Sequence, residues 1–278
     1  MLYCLRNAMP APLCSRRHSL SALLAGASPA WARAEEGLPV LVPADVLADH
    51  QAQRPLRRDV AELRMLLWAV SQPVRLLPMP STARLLTELR ALHGVVGGTS
   101  FTRSDVDLGD VQLALSAPLV REGEFEAGLY TLPEHPAQRE PHPAAGLARW
   151  AALCNREWRG DWSTLQRLGL RDVQHVASWP LMVRMLAAGR ADLVLAPFSA
   201  APRMAIQAEG VTLLPLRGLK VGLPGSRHFV LAAQHPAFGP LLPRLDEGIR
   251  RLHADGRLRQ AYQDSGFFHP MVRNWQRL

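Results

Sequence analysis

Short unbroken apolar runs alternate along the chain with longer stretches in which apolar residues recur every three to four positions, the pattern of buried strands alternating with amphipathic helices. Over residues 56–70 the stripe is Val60, Leu63, Leu67 and Val70, and Ser71-Gln72-Pro73 ends it. Residues 74–77 read as a strand. Ser81 then supplies an N-cap for a helix through Leu85, Leu86, Leu89 and Leu92, closed by Gly94. Val95-Val96 opens the next strand, which runs into Gly97-Gly98-Thr99-Ser100. Residues 111–115 and 128–132 are extended, and residues 133–143 are rich in Pro, His and Glu. Beyond them the alternation resumes, with 162–168 and 180–188 helical and 173–176, 192–196 and 213–216 extended. Near the C-terminus, residues 228–233 suit a buried strand stopped at His235-Pro236. Leu241, Leu242, Leu245, Ile249 and Leu252 form the next helical stripe, Gly256 closes it, and Leu258, Ala261 and Tyr262 carry a second short helix to Gly266. This order predicts an α/β architecture with mixed, largely parallel sheets, whose ligand sites lie beyond the carboxyl ends of strands.

A chain of 278 residues is long enough for two lobes of ordinary domain size. Its formal charge of +8 changes meaning once located: Arg6, Arg16, Arg17 and Arg33 precede Glu35 with no acid among them, leaving +4 downstream. There the arginines are scattered among acids, as in Arg57-Arg58-Asp59, which is the pattern of solvated helix faces and argues against nucleic acid as a partner. Residues 1–34 read as an export signal peptide. Arg16 and Arg17 supply the positive charge, residues 20–30 the Leu- and Ala-dominated run, and Ala32-Arg33-Ala34 the small residues of a cleavage site. Residues 15–20 partly match a twin-arginine signal, with Ser19 where an aromatic usually falls, so both export routes stay open. No other run approaches the ~18 consecutive apolar residues of a membrane helix. A soluble periplasmic protein, not membrane-embedded, is therefore expected. Cys154 would be the only mature cysteine, which allows no intramolecular disulfide, and its neighbours Trp150 to Leu153 suggest a buried thiol.

The strand, helix, Asp255-Gly256 turn and final helix ending in Gly266-Phe267 resemble the closing segment of the type 2 periplasmic solute-binding proteins, the amino-acid-binding (family 3) branch especially. Three further segments resemble the same family in the same order: Pro80 to Gly94 with Arg84, Ser116-Ala117-Pro118-Leu119 leading to Gly128-Leu129-Tyr130, and Gly189-Arg190-Ala191-Asp192 before a strand. The resemblance covers most of residues 74–267 and identifies the chain as a divergent member. It implies a two-lobe periplasmic-binding fold with two interlobe crossings, near Tyr130 and Arg227. Lobe one would comprise residues 35–129 and 226–278, and lobe two residues 130–225. It also implies capture of a small polar solute in an interlobe cleft, for an ABC transporter permease or a membrane receptor, with no cofactor.

In that family the segment matching Gly97 to Thr102 presents amides and hydroxyls to a ligand carboxylate, which makes Gly98, Thr99 and Ser100 candidate ligand contacts. The family's carboxylate-clamping arginine falls at Asp105 here, so Arg103 substitutes for it or the clamp is absent. The family's amine-binding acid falls at Pro197, followed by Phe198, a further candidate. These two departures argue against an unmodified α-amino acid. In lobe two, residues 160–163 offer a helix N-terminus, with Asp161, Trp162 and Ser163 as candidates. Asp161 would repel an anion there and favour a cationic or neutral group. Asp192 is read as a turn-ordering residue. No HExxH, G-x-S-x-G, phosphate-loop or CxxC pattern occurs, so neither a metal site nor a catalytic residue is assigned. A metal site would have to be assembled from distant His135, His142 and His175, which read instead as surface or core histidines. The alternative is a periplasmic enzyme on the same scaffold, a cyclohexadienyl dehydratase-like lyase, which requires Asp161, Glu122 or His175 to converge in the cleft.

Overall fold

A computed structural model describes residues 37–53, 57–106, 109, 111–140 and 143–278. The segment read as an export signal, with Cys4 and Cys14, and His142 lie outside the described residues. The first strand, β1 (Leu38–Pro43), is followed by α1 (Ala44–Gln51), α2 (Arg58–Val70), β2 (Val74–Met79), α3 (Thr82–Arg90), β3 (Val96–Thr102) and β4 (Leu113–Leu115). Next come β5 (Glu126–Thr131), α4 (Pro143–Gly146), β6 (Ala151–Cys154), α5 (Arg159–Arg167), β7 (Asp172–His175), α6 (Trp179–Ala187), β8 (Leu193–Ala196), β9 (Ile206–Ala208), β10 (Val211–Pro215) and β11 (Leu219–Gly222). The chain ends with β12 (Arg227–Ala232), α7 (Phe238–Ala254), α8 (Arg257–Asp264) and β13 (Gln276–Arg277).

The described strands form two mixed sheets. The first has five strands in the order β2-β1-β3-β12-β4, parallel from β2 to β3 and antiparallel beyond. β1 is an interior strand, and its Val40, Leu41 and Val42 are fully buried, as a strand covered on both faces requires. The second sheet has eight strands, with β7-β6-β8 parallel, β5 antiparallel to β8, and β10 and β11 paired with β5. Helix α2 packs on β3, with Leu63 beside Gly98, and on α7, where Ala69 lies against Gly248. Ser81 caps α3 as its sequence suggests, its hydroxyl accepting from the Arg84 N–H at 3.1 Å.

Two segments run antiparallel between the sheets. Val120 and Arg227 form a bridge, the Leu223 N–H donates to the Phe125 carbonyl at 2.9 Å, and Ala127 pairs with Val221. Tyr130 lies beyond this crossing, inside the second sheet and paired with Val194. The C-terminal β13 pairs with β11 and so returns the tail to the second sheet.

Candidate functional site

Register places the first half of the site. The β1–β3 pairing ends at Leu41↔Gly97, so the carboxyl end of β3 has no strand partner on that edge. A side chain from α2 takes up the donors left there. Glu62 is fully buried. Its Oε2 accepts from the Thr99 hydroxyl and the Ser100 N–H, both at 2.9 Å, and its Oε1 accepts from the Ser100 hydroxyl at 2.6 Å and the Tyr262 phenol at 3.2 Å. Arg58 lies 3.5 Å from the same carboxylate and Arg227 3.9 Å. Burial alone would raise the Glu62 pKa, but the two guanidiniums and the Ser100 hydrogen bonds outweigh it and hold the group below its ordinary value.

Arg227 opens β12 and completes the cluster. It donates to the Ser100 hydroxyl at 2.9 Å, the Ser100 carbonyl at 2.8 Å and the Thr102 hydroxyl at 3.0 Å. Phe125 and Phe267 lie under the two guanidiniums, Arg227 at 5.4 Å and Arg58 at 5.9 Å from the ring centres. Burial, and then Arg58, push the Arg227 pKa down to about 10, which leaves it charged at neutral pH.

The second half comes from α5. Its first turn lies against the 3-10 turn Arg103–Asp105, with Gly160 close to the Ser104 hydroxyl and the Pro224 carbonyl. Asp161 on that turn feels Asp105, Arg227 and Arg58, and burial followed by the Asp105 charge raises its pKa to about 6. Burial likewise raises Asp105, whose Oδ1 is buried without a hydrogen-bond partner. Cys154, at the end of β6, is pushed up to about 12 by burial and by these two acids, so its thiol is inert at neutral pH.

The remaining sequence-derived candidates disperse. Gly98 faces Val42 and Leu63, where a Cβ would come within 2.8 Å and 3.2 Å, so its role there is close packing. Arg103 is exposed. Trp162 stacks under Arg156 at 5.1 Å, and the Ser163 hydroxyl turns back to the Gly160 carbonyl at 3.1 Å. Phe198 is buried in the second lobe's core, edge-on to Trp275 at 5.7 Å. Counting along the sequence points to Asp105 and Arg103, whereas the arginine that reaches β3 is Arg227, from the neighbouring antiparallel strand.

No family model and no curated protein matches the chain. Solved structures do. The periplasmic VFT2 domain of BvgS from Bordetella pertussis superposes with a TM-score of 0.56 at 15% identity, over 86% of this chain and 93% of that one. The probable amino-acid ABC transporter extracellular-binding protein YtmK of Bacillus subtilis gives 0.56 at 12%, over 83% and 98%. AbpA of Streptococcus pneumoniae, an amino acid ABC transporter substrate-binding protein bound to L-arginine, gives 0.53 at 13%, over 82% and 93%. The chain has the two-lobe fold of type 2 periplasmic solute-binding proteins.

Within this periplasmic-binding fold, the buried Glu62 and Arg227 and the half-buried Arg58 and Asp161 lie together where α5 meets the 3-10 turn after β3. Asp192 stands apart from them and ties the turn before β8 to its surroundings. Its carboxylate accepts from the Ala151 N–H at 2.7 Å and meets the His135 ring at 3.0 Å, the turn-ordering role its sequence context suggests. Of the three residues that could serve a lyase on this scaffold as acid or base, Asp161 lies against the 3-10 turn of the first lobe. Glu122 accepts from the Gly225 N–H at the second crossing, and the His175 ring from the Arg156 N–H. Among the described residues no group of three or more His, Cys, Asp or Glu is placed to hold a metal ion, and no helix is long and apolar enough to cross a membrane.

Proposed function

We propose that the chain is an extracytoplasmic solute-binding protein, exported to the periplasm, whose lobes close on a small polar solute for an ABC transporter or a membrane receptor. Residues 35–129 with 226–278 form the first lobe in this reading and 130–225 the second, with the end of the tail from Val272 to β13 laid back on the second lobe, and the lobes hinge about the paired segments at residues 120–127 and 221–227. The observation that carries it is the meeting of two acids across the cleft: Asp105, with its unpartnered buried oxygen, on one lobe and Asp161, with its raised pKa, on the other. Two such carboxyls are best satisfied by a ligand that donates hydrogen bonds or carries positive charge, since either would offset the negative charge that burial disfavours there. The solved neighbours include substrate-binding proteins of amino acid transporters, one of them holding L-arginine, which supports solute capture in general.

Thermal unfolding of the chain from Glu35 against polyamines, guanidinium compounds, sugars, carboxylates and amino acids tests the proposal. A cationic or polyhydroxylated solute at 100 times its dissociation constant should add about 2.7 kcal/mol, a midpoint rise of several degrees. A shift confined to dicarboxylates would overturn the assignment of ligand polarity. No shift from any of them would count against solute capture.

A further inference from the structure

The donors around Thr99 and Ser100 are those of a carboxylate site: two hydroxyls, one backbone N–H and the Tyr262 phenol converging on two oxygens, with two guanidiniums behind them. They sit at the carboxyl end of β3, past its last pair with β1, where an α/β sheet presents free backbone groups to a solute. The carboxylate they hold belongs to the chain itself. Glu62 is fully buried and both its oxygens are engaged, so a second carboxylate arriving here would find the donors used and a fixed negative charge in place.

We propose that Glu62 is a built-in occupant of the first lobe's carboxylate cradle, so that the cleft refuses solutes presenting a carboxylate at this end and Glu62 sets the class of ligand. Its biological meaning rests on the solute-binding reading above, whereas the occupancy can be tested with no natural ligand. In Glu62→Ala the donors and the two arginines would face an opening suited to a small monocarboxylate. Arg58 and Arg227, left without their anion, would attract one.

The experiment compares thermal unfolding of the parent and Glu62→Ala chains in sodium formate and in sodium chloride of equal ionic strength. The parent should respond alike to both salts. The variant's midpoint should be higher in formate by about 3 °C or more, and adding Ser100→Ala should abolish the difference. A variant that folds only with formate present supports the occupancy equally. A folded variant with no preference for formate overturns it, as does a parent that gains stability from formate in a Ser100-dependent way. If the variant folds in neither salt, the parent's response decides: indifference to formate upholds the occupancy. A variant that binds formate while the parent binds no solute at all would sink the transport reading and leave the occupancy standing.

Discussion

Two carboxylates that feel the same two arginines, Glu62 fully buried and Asp161 half-buried, are shifted in opposite directions although burial raises both, because the number of donors aimed at each differs. Glu62 receives four hydrogen bonds and two guanidiniums, which overcome desolvation and lower its pKa. Asp161 faces Asp105, and desolvation raises it to about 6. Their contributions to stability therefore run oppositely with pH. The Glu62 contribution is present above its unfolded value of 4.5 and is lost as pH falls through its lower folded value. For Asp161 the native state holds the proton longer than the unfolded chain, so stability falls as pH rises from 3.8 to about 6 and stays reduced above that. Asp161→Asn should accordingly be more stable than the parent at neutral pH, with the difference closing toward pH ~4, as urea unfolding across that range would show. A loss of stability that grows as pH rises would instead mean that Asp161 is bound to a partner that favours its charge. Arg227→Met should cost about 3–5 kcal/mol, because it strips three hydrogen bonds from Ser100 and Thr102 and leaves a buried anion with Arg58 alone. Adding Glu62→Leu should recover part of that loss, and a double-mutant cycle that comes out additive would show the two residues to be uncoupled.

At the scale of elements, the tail after β12 was legible and the partners of the site were not. The stripe of α7, the break at Gly256 and the stop at Gly266 follow from spacing and glycine, and the helices end where those signals fall. The two glycines do different work, however, and only the structure separates them. Gly256 has a φ of +79° and open space around it. Gly266 has a φ of +78°, and a Cβ there would lie 2.2 Å from the Ala200 backbone nitrogen, on the loop after β8. Gly256→Ala should cost about 1–2 kcal/mol from its backbone conformation alone, and Gly266→Ala clearly more, since a main-chain atom must move. Equal losses in urea unfolding would mean that the loop at Ala200 yields freely. The strand β1 escaped the sequence reading because Pro39 and Pro43 interrupt its apolar run. Pro39 is tolerated there because its carbonyl, accepting from the Val95 N–H at 3.0 Å, is what the ladder uses. Glu62 left a trace, an acid on the face shared by Met65, Leu66 and Ala69, which are all buried. Its partners Tyr262, 200 residues away, and Arg227 left none, because the register that brings β12 beside β3 is a property of the sheet.

Across the whole molecule, the proposed closure on a solute would couple to protons through the acids of the cleft. Asp161 reaches the site from the second sheet's side on α5, while Asp105 and the two arginines come from the first, so the environment that raises Asp161 exists where the lobes are together. A neutral solute leaves the Asp161 proton in place, and its affinity should change little on mild acidification. A cationic solute received between Asp105 and Asp161 would have to displace that proton. Its affinity should be level above pH ~7 and fall as pH drops below about 6, by up to about tenfold per unit. Calorimetry at about pH 5.5 in two buffers of different ionisation heat would then register proton release on binding, and Asp161→Asn should remove both the release and the pH dependence. Tighter binding on acidification would exclude a cation at this position, because protonation would then be helping the ligand rather than competing with it.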